Sequence, residues 1–154
     1  MKNIEIYTDG ACLGNPGPGG YAAILTYKEN EKEISGGFKR TTNNRMELYA
    51  ALAALETLKV RCSVIIYSDS RYLVDSIQKG WLENWQENNW MRTKNEEAVN
   101  RDLWERLAIQ LNRHQVMFLW VKGHSNNAYN NRCDALAQTA AGGAELPEDT
   151  GYKA

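Results

Sequence analysis

The chain has 154 residues, of which 43% are hydrophobic and 24% charged, and its formal net charge is −1. These values predict a single globular domain, residues 1–154, and they exclude a membrane-spanning protein and a strongly basic nucleic-acid-binding domain. The three widely separated cysteines form neither a disulfide framework nor a zinc motif, which is typical of proteins in the reducing cytoplasm.

The first half of the chain predicts three antiparallel strands and a helix. Alternating apolar side chains over residues 4–9 predict the first strand, because successive side chains of a strand point to opposite faces. A Gly/Pro/Asn turn then leads to two further strands at residues 21–28 and 33–39. Leucines at helical spacing predict a helix over residues 45–59, with Glu47 in its first turn.

The second half predicts two more strands with helices around them. Continuous apolar runs at residues 64–67 and 116–121 are typical of strands that are buried on both faces. The predicted helices cover residues 71–78, capped by Ser70, residues 100–112, capped by Asn100, and residues 130 or 131 to 141. The order of elements predicts an α/β fold with a five-stranded mixed sheet, in which two parallel strands extend a three-stranded antiparallel meander.

Two segments differ from this pattern. Residues 78–100 contain tryptophans among polar side chains, which favours a protruding element, although a small satellite hydrophobic cluster is an equally good interpretation. Residues 144–154 are acidic and contain one proline, and we expect them to be mobile.

Four carboxylates are expected at one edge of the sheet. Asp9 and Asp69 both lie at the C-terminal ends of predicted strands, where open α/β sheets bind ligands. If these two strands are parallel neighbours, ~5 Å apart, both carboxylates face one spot. Glu47 and Asp134 lie early in helices that begin near this edge. Oxygen ligands of this kind suit Mg²⁺ or Mn²⁺, and two such ions ~4 Å apart can act on a phosphoryl group.

Each acid also has a purely structural interpretation. The alternatives are an Asx turn at Asp9, a capping box of Glu47 with Asn44, a helix cap at Asp69 and a helix-dipole interaction of Asp134. The convergence of all four on one edge favours the metal site. His124 is a lone loop histidine, for which a surface position and a proton-carrying role near pH 7 both remain open.

An ordered set of motifs covers essentially the whole chain. The set comprises Tyr7-Thr8-Asp9-Gly10, residues 14–21, residues 41–48, Ser68-Asp69-Ser70, Asp102-Leu103-Trp104, residues 120–124, residues 131–134 and residues 148–152. It resembles bacterial type 1 ribonuclease H. The resemblance implies a ribonuclease H-like fold and sequence-nonspecific hydrolysis of the RNA strand of RNA–DNA hybrids, which leaves 5′-phosphate and 3′-hydroxyl ends. We expect a cytoplasmic monomer without an obligate protein partner or membrane contact.

The resemblance also assigns roles to single residues. The four acids match the family's Mg²⁺ ligands, for which Mn²⁺ is an alternative, and His124 matches a catalytic histidine that assists proton transfer or product release. The matches to groove contacts that read the RNA 2′-hydroxyl are Cys12, Asn15, Asn43, Asn44 and, by position, Arg71. The remaining matches are a DNA-phosphate pocket of Arg40, Thr42 and Asn100, and apolar walls for DNA sugars formed by Trp81 and Trp104.

The chain departs from the family pattern in three places. Residues 78–100 correspond to the family's basic protrusion but contain three basic and four acidic residues, which predicts weaker and less salt-dependent hybrid binding. Arg71 stands where glutamine is common, so a phosphate contact is the alternative to reading the groove. Residues 125–130 have an unusual composition, which would affect the mobility of His124.

Two other functions are open to the same sequence. A catalytically idle module that binds hybrids or double-stranded RNA would be expected to lack one of the acids, but all four and His124 are present. A resolvase or transposase would share the fold but not the 2′-hydroxyl readers Asn15, Asn43 and Asn44. A ribonuclease H remains the function that the sequence favours.

Overall fold

The computed structural model, which describes residues 1–123 and 127–153, contains ten regular elements within that part of the chain. The strands are β1 (Lys2–Cys12), β2 (Gly17–Tyr27), β3 (Asn30–Thr41), β4 (Cys62–Ser68) and β5 (Gln115–Trp120). The helices are α1 (Asn43–Glu56), α2 (Arg71–Gln78), α3 (Trp81–Glu87), α4 (Arg101–Arg113) and α5 (Ala128–Ala141). None of the helices within the described residues is long and apolar enough to cross a membrane.

The strands form one five-stranded sheet in the order β3-β2-β1-β4-β5. The first three strands pair antiparallel, whereas β4 pairs parallel with β1, and β5 parallel with β4. The predicted α/β fold with a mixed sheet is therefore confirmed. Its core lies on both sheet faces, with α1 and α4 covering one face and α5 the other.

The first strand is longer than the sequence predicts. Its antiparallel pairing with β2 continues to Cys12, whereas its parallel pairing with β4 ends at Tyr7 opposite Tyr67. Asp9 therefore lies inside β1 rather than at its end. It follows Tyr7 by two residues, as Asp69 follows Tyr67, and both acids lie just beyond the point where the parallel pair stops.

The last strand is not buried on both faces, contrary to prediction. In β5 only Phe118 is buried, and Met117, Leu119 and Trp120 are exposed. These side chains are exposed because β5 is the last strand in the sheet order and pairs with β4 alone. A run of apolar residues does not distinguish a central strand from such an edge strand.

The tryptophan-rich segment joins the main core. Leu82 is buried, and Trp85 and Trp90 pack against the same core that contains the leucines of α1. A separate satellite cluster is therefore not formed. The Trp81 side chain is exposed, which agrees with a protruding element at this one position.

The acidic C-terminal segment is bound to the rest of the domain. The backbone nitrogen of Lys39 donates to the carbonyl of Pro147 at 2.8 Å, and the Asp149 carboxylate accepts from Arg45 Nε at 2.7 Å and from Arg45 Nη2 at 2.9 Å. The expectation that residues 144–154 are mobile is therefore corrected for this part of the segment. The physical reason is the buried guanidinium of Arg45, which needs carboxylate partners.

Candidate active site

Three carboxylates from separate elements meet at one edge of the sheet. Asp9 of β1, Glu47 of α1 and Asp69, which follows β4, each offer an oxygen, and these oxygens lie within 4.8 Å of one another. Asp9 and Glu47 are buried, and Asp69 is half-buried. The parallel register of β1 and β4 accounts for the proximity of the two aspartates.

Glu47 reaches this cluster because α1 packs directly on Gly10. A Cβ atom at Gly10 would overlap the backbone nitrogen of Glu47 and would lie 2.6 Å from the carbonyl carbon of Met46. Only glycine permits so close an approach. The N-cap of α1 is Thr42, whose Oγ1 accepts from Arg45 N at 3.2 Å, so the capping-box interpretation of Glu47 with Asn44 is wrong.

Asp134 lies on the same cavity but outside the tight group of three. The cavity has a volume of 510 Å³, and its acidic lining residues are Asp9, Glu47, Asp69 and Asp134. Asp134 Oδ1 accepts from Gln138 Nε2 at 3.1 Å. Because α5 begins at Ala128, Asp134 lies beyond its first turn, where interaction with the helix dipole is weak.

The electrostatics of the cluster disfavour negative charge without a cation. Burial raises the pKa of Glu47 well above its usual range, and the neighbouring Asp9 charge adds to the shift. Burial likewise raises the pKa of Asp9 to about 7, with a further rise from Asp69 and an opposing effect of the hydrogen bond with Glu47. Both shifts favour the protonated carboxyl groups, and a bound cation would oppose them.

The cluster fits a hard divalent cation. Glu47 Oε2 is buried and has no hydrogen-bond partner among residues 1–123 and 127–153. A buried carboxylate oxygen without a partner is costly, and a cation would satisfy it. The donor set consists of carboxylate oxygens, which are the ligands that Mg²⁺ and Mn²⁺ prefer.

Trp120 and Asn130, for which the sequence predicts no role at the site, hold the backbone near the acids. Trp120 Nε1 donates to the carbonyl oxygen of Asp69 at 3.1 Å, and Asn130 Nδ2 donates to the carbonyl oxygen of Tyr67 at 3.1 Å. Asn130 therefore ties α5 to the end of β4. Such contacts join distant parts of the chain, and residue spacing carries no signal of them. Gly10 directly follows Asp9 in the sequence, but this position alone does not predict that Gly10 packs against α1.

The predicted groove residues lie in and beside the acidic cavity. Asn43, Asn44 and Arg71 line it. Asn15 Oδ1 accepts from the backbone nitrogen of Asn43 at 3.1 Å, and Cys12 Sγ lies 3.4 Å from the carbonyl oxygen of Gly17 and 3.4 Å from that of Thr41.

Two of the three predicted phosphate-pocket residues share a second cavity. Thr42 and Asn100 line this cavity of 810 Å³, whereas Arg40 is exposed and is not among its lining residues. Asn100 precedes α4 but does not cap it with its side chain, which corrects the prediction. Its Nδ2 donates to the Tyr72 hydroxyl at 3.1 Å, and its Oδ1 accepts from Arg45 Nη1 at 3.3 Å.

The two predicted apolar walls have different surroundings. Trp81 is exposed and available for contact, but Trp104 has 0% exposure. Trp104 Nε1 donates to the Tyr72 hydroxyl at 2.9 Å, and its ring lies 5.7 Å from that of Trp85. The prediction that Trp104 contacts DNA sugars is therefore wrong for this structure, because the indole is part of the core. His124 lies outside the described residues.

Comparisons with known proteins identify the family. The ribonuclease H family model matches residues 1–142. A ribonuclease H of Syntrophus aciditrophicus is 58% identical over 152 residues, which are 99% of this chain and 88% of the relative, and one of Aeromonas salmonicida is 52% identical over 153 residues, which are 99% of each.

Solved structures agree with this assignment. LC9-RNase H1, described as a type 1 RNase H with the type 2 active-site motif, has a TM-score of 0.84 and 31% identity, and the match covers 94% of this chain and 74% of that one. LC11-RNase H1, solved in complex with an RNA/DNA hybrid, has a TM-score of 0.69 and 27% identity, with 90% and 96% covered. The chain belongs to the ribonuclease H family, whose members are metal-dependent nucleases that hydrolyse the RNA strand of RNA–DNA hybrids.

Proposed function

We propose that the chain hydrolyses the RNA strand of RNA–DNA hybrids with the help of Mg²⁺. The ion would be held by Asp9, Glu47 and Asp69, with Asp134 as a further ligand. The observation that carries this proposal is the meeting of three carboxylates within 4.8 Å, one of which has a buried oxygen without a partner among the described residues. Mn²⁺, which accepts the same oxygen ligands, is the expected substitute.

The acids act by their placement and by their change of protonation. When bound, the cation supplies an activated water and stabilises the charge that develops on the scissile phosphate. Cation binding has to overcome the raised pKa of both Asp9 and Glu47, since a carboxylate binds a cation only when ionised. The carbonyl oxygen of Asp69 is held by the Trp120 indole, which restricts where the Asp69 carboxylate can point. His124 is proposed, from the resemblance alone, to assist proton transfer or product release.

The substrate is proposed to lie across both cavities. Asn43 and Asn44 line the acidic cavity, and Asn15 accepts from the backbone nitrogen of Asn43, which supports the proposal that these amides read the RNA 2′-hydroxyl. Thr42 and Asn100 line the second cavity, which is the proposed site for a DNA phosphate. Arg40, which is exposed, is proposed as a further contact to that phosphate. Cys12 is proposed as a further groove contact, Arg71 as a contact to either the groove or a phosphate, and exposed Trp81 as a contact to DNA sugars. Trp104 is not included.

We also propose that residues 1–154 act as one domain and as a cytoplasmic monomer. The unpaired state of Cys12, Cys62 and Cys133 is consistent with a reducing compartment. Size-exclusion chromatography with light scattering would test the oligomeric state.

The experiment that tests the proposal compares matched labelled duplexes. RNA–DNA, RNA–RNA and DNA–DNA duplexes would be incubated with the wild type and with Asp9→Asn, each in Mg²⁺ and in EDTA. We expect cleavage of only the RNA strand of the hybrid, in Mg²⁺ and by the wild type. Tight hybrid binding without cleavage in either Mg²⁺ or Mn²⁺ would overturn the catalytic roles and favour a binding module.

A further inference from the structure

We propose that Arg71 and Trp120 form a phosphate clamp beside the acidic cluster, which takes a backbone phosphate of the bound hybrid. The guanidinium carbon of Arg71 lies 3.7 Å from the centre of the Trp120 ring, which is stacking distance. Arg71 also lines the cavity that contains Asp9, Glu47 and Asp69. The inference rests on the proposed function, because it names the substrate atoms that one side of that site contacts.

Trp120 is held from two directions, so that it can fix the position of Arg71. Its backbone is opposite Ser68 in the parallel pair of β4 and β5, and the next residue, Val121, donates to the Ser68 carbonyl at 2.9 Å. Its indole nitrogen donates to the Asp69 carbonyl at 3.1 Å. A guanidinium that stacks on this indole is therefore fixed relative to the backbone of a proposed metal ligand.

The donor edge of Arg71 remains available for a ligand. Arg71 is exposed, and within residues 1–123 and 127–153 its guanidinium donates no hydrogen bond and pairs with no carboxylate. Stacking uses the flat face of a guanidinium and leaves its N–H groups in the plane, where they match two oxygens of a phosphate.

The negative charge of the cavity lining explains why a positively charged side chain favours phosphate binding here. Its lining contains four acids, whereas Arg71 and Lys122 are the basic residues of the lining as described. A phosphate that approaches four carboxylates meets repulsion that a fixed positive charge opposes. Arg71 is therefore better suited to bind a charged phosphate than to bind the uncharged groups in the groove of the duplex.

The test measures how hybrid binding depends on salt. Dissociation constants for a fluorescein-labelled hybrid would be measured in Mg²⁺ from low to moderate KCl, in an Asp9→Asn background that prevents cleavage. We expect Arg71→Gln to weaken binding about tenfold at low salt. We also expect it to reduce the slope of log affinity against log salt by about 0.9, the value for one lost phosphate contact. Arg61→Gln removes the same charge at the other end of β4, and we expect it to leave the slope unchanged.

Variants of Trp120 separate its two contacts. Trp120→Leu removes the stacking platform and should weaken binding severalfold, but it should have no additional effect in the Arg71→Gln background. Trp120→Phe keeps a ring for Arg71 but lacks the indole N–H that binds the Asp69 carbonyl. Hybrid affinity in the Asp9→Asn background should therefore be retained. In the protein that keeps Asp9, the same substitution should lower the rate of cleavage.

The outcomes distinguish this proposal from the function on which it rests. An unchanged salt slope in Arg71→Gln, or additive effects of Arg71→Gln and Trp120→Leu, would overturn the clamp. Tighter Mg²⁺ binding by Arg71→Gln with an unchanged slope would show instead that Arg71 only neutralises the acids. Failure of the wild type to cleave the hybrid in Mg²⁺ would overturn the proposed function itself.

Discussion

Replacing Asp149 by asparagine tests the energetic importance of the C-terminal segment. The Arg45 side chain is only 2% exposed, and its guanidinium is bound by two carboxylates, those of Asp102 and Asp149. Asp149→Asn removes one of them and leaves a buried cation with a single charged partner. Asp149 is itself 8% exposed, so solvent screens this pair little.

The size of the effect follows from this geometry. Loss of one partner of a buried ion pair costs roughly 3–5 kcal/mol when the other charge is left unpaired. Arg45 keeps two hydrogen bonds to Asp102, at 2.9 and 2.8 Å, so we expect a smaller loss, about 2–3 kcal/mol. For a domain of this size that corresponds to a decrease in Tm of about 5–10 °C.

Thermal and urea unfolding would measure the loss, with Glu148→Gln as the matched control. Glu148 is the exposed neighbour, and its substitution removes the same charge, so its Tm should change by less than about 1 °C. Equal effects of the two substitutions would refute the reasoning, because they would show that net charge and not the Arg45 contact matters.

Four further predictions follow from the site and its surroundings. Gly10→Ala should lower kcat at least tenfold, because the added methyl group displaces Glu47, whereas Gly142→Ala, whose methyl would meet nothing closer than 3.7 Å, should leave steady-state kinetics unchanged. The pair Glu83→Lys and Glu87→Lys should tighten hybrid binding and steepen its salt dependence, and an unchanged affinity by fluorescence anisotropy would contradict this. Mg²⁺ at about 100 times its Kd should raise the free energy of unfolding by about 2.7 kcal/mol, reversibly with EDTA and less in Asp9→Asn, as monitored by urea melts. Burial lowers the pKa of His114 below 6.5. The contribution of the neutral imidazole to the free energy of unfolding should therefore be complete above pH 6.5 and should be lost as the pH falls below that value. Urea melts at each pH should show a weaker pH dependence of stability in His114→Gln.

The sequence predicts most of the fold and the convergence of the acids for clear physical reasons. Asp9 and Asp69 follow runs that alternate or are apolar, and parallel pairing of two such strands brings their ends together. The position of Glu47 follows from the helical spacing of the leucines after it. Helix α2, Arg71–Gln78, has the bounds and the Ser70 cap that local residues indicate.

The errors concern contacts between distant parts of the chain. Trp104 and Trp81 are the same residue type, and only the packing of Trp104 against Tyr72 and Trp85 makes one of them core and the other surface. Asp149 binds Arg45 across more than a hundred positions, which no local pattern reveals. The apolar run of β5 indicates a strand, but its edge position depends on the order of the whole sheet.

The divergence of β1 from β4 beyond Tyr7 has a consequence for motion in the molecule. Asp9 lies where β1 is still paired with β2, opposite Ala22, and this central strand belongs to the part of a domain that opens least often. Residues 88–97, by contrast, contain no helix or strand and are largely exposed apart from Trp90, and one isolated bridge pairs Met91 with Glu97. Hydrogen exchange should therefore be slowest around Ile6 and Ile24 and fast across residues 88–97. The part of the enzyme that carries the chemistry would then stay fixed while the part beside the substrate adapts to each duplex.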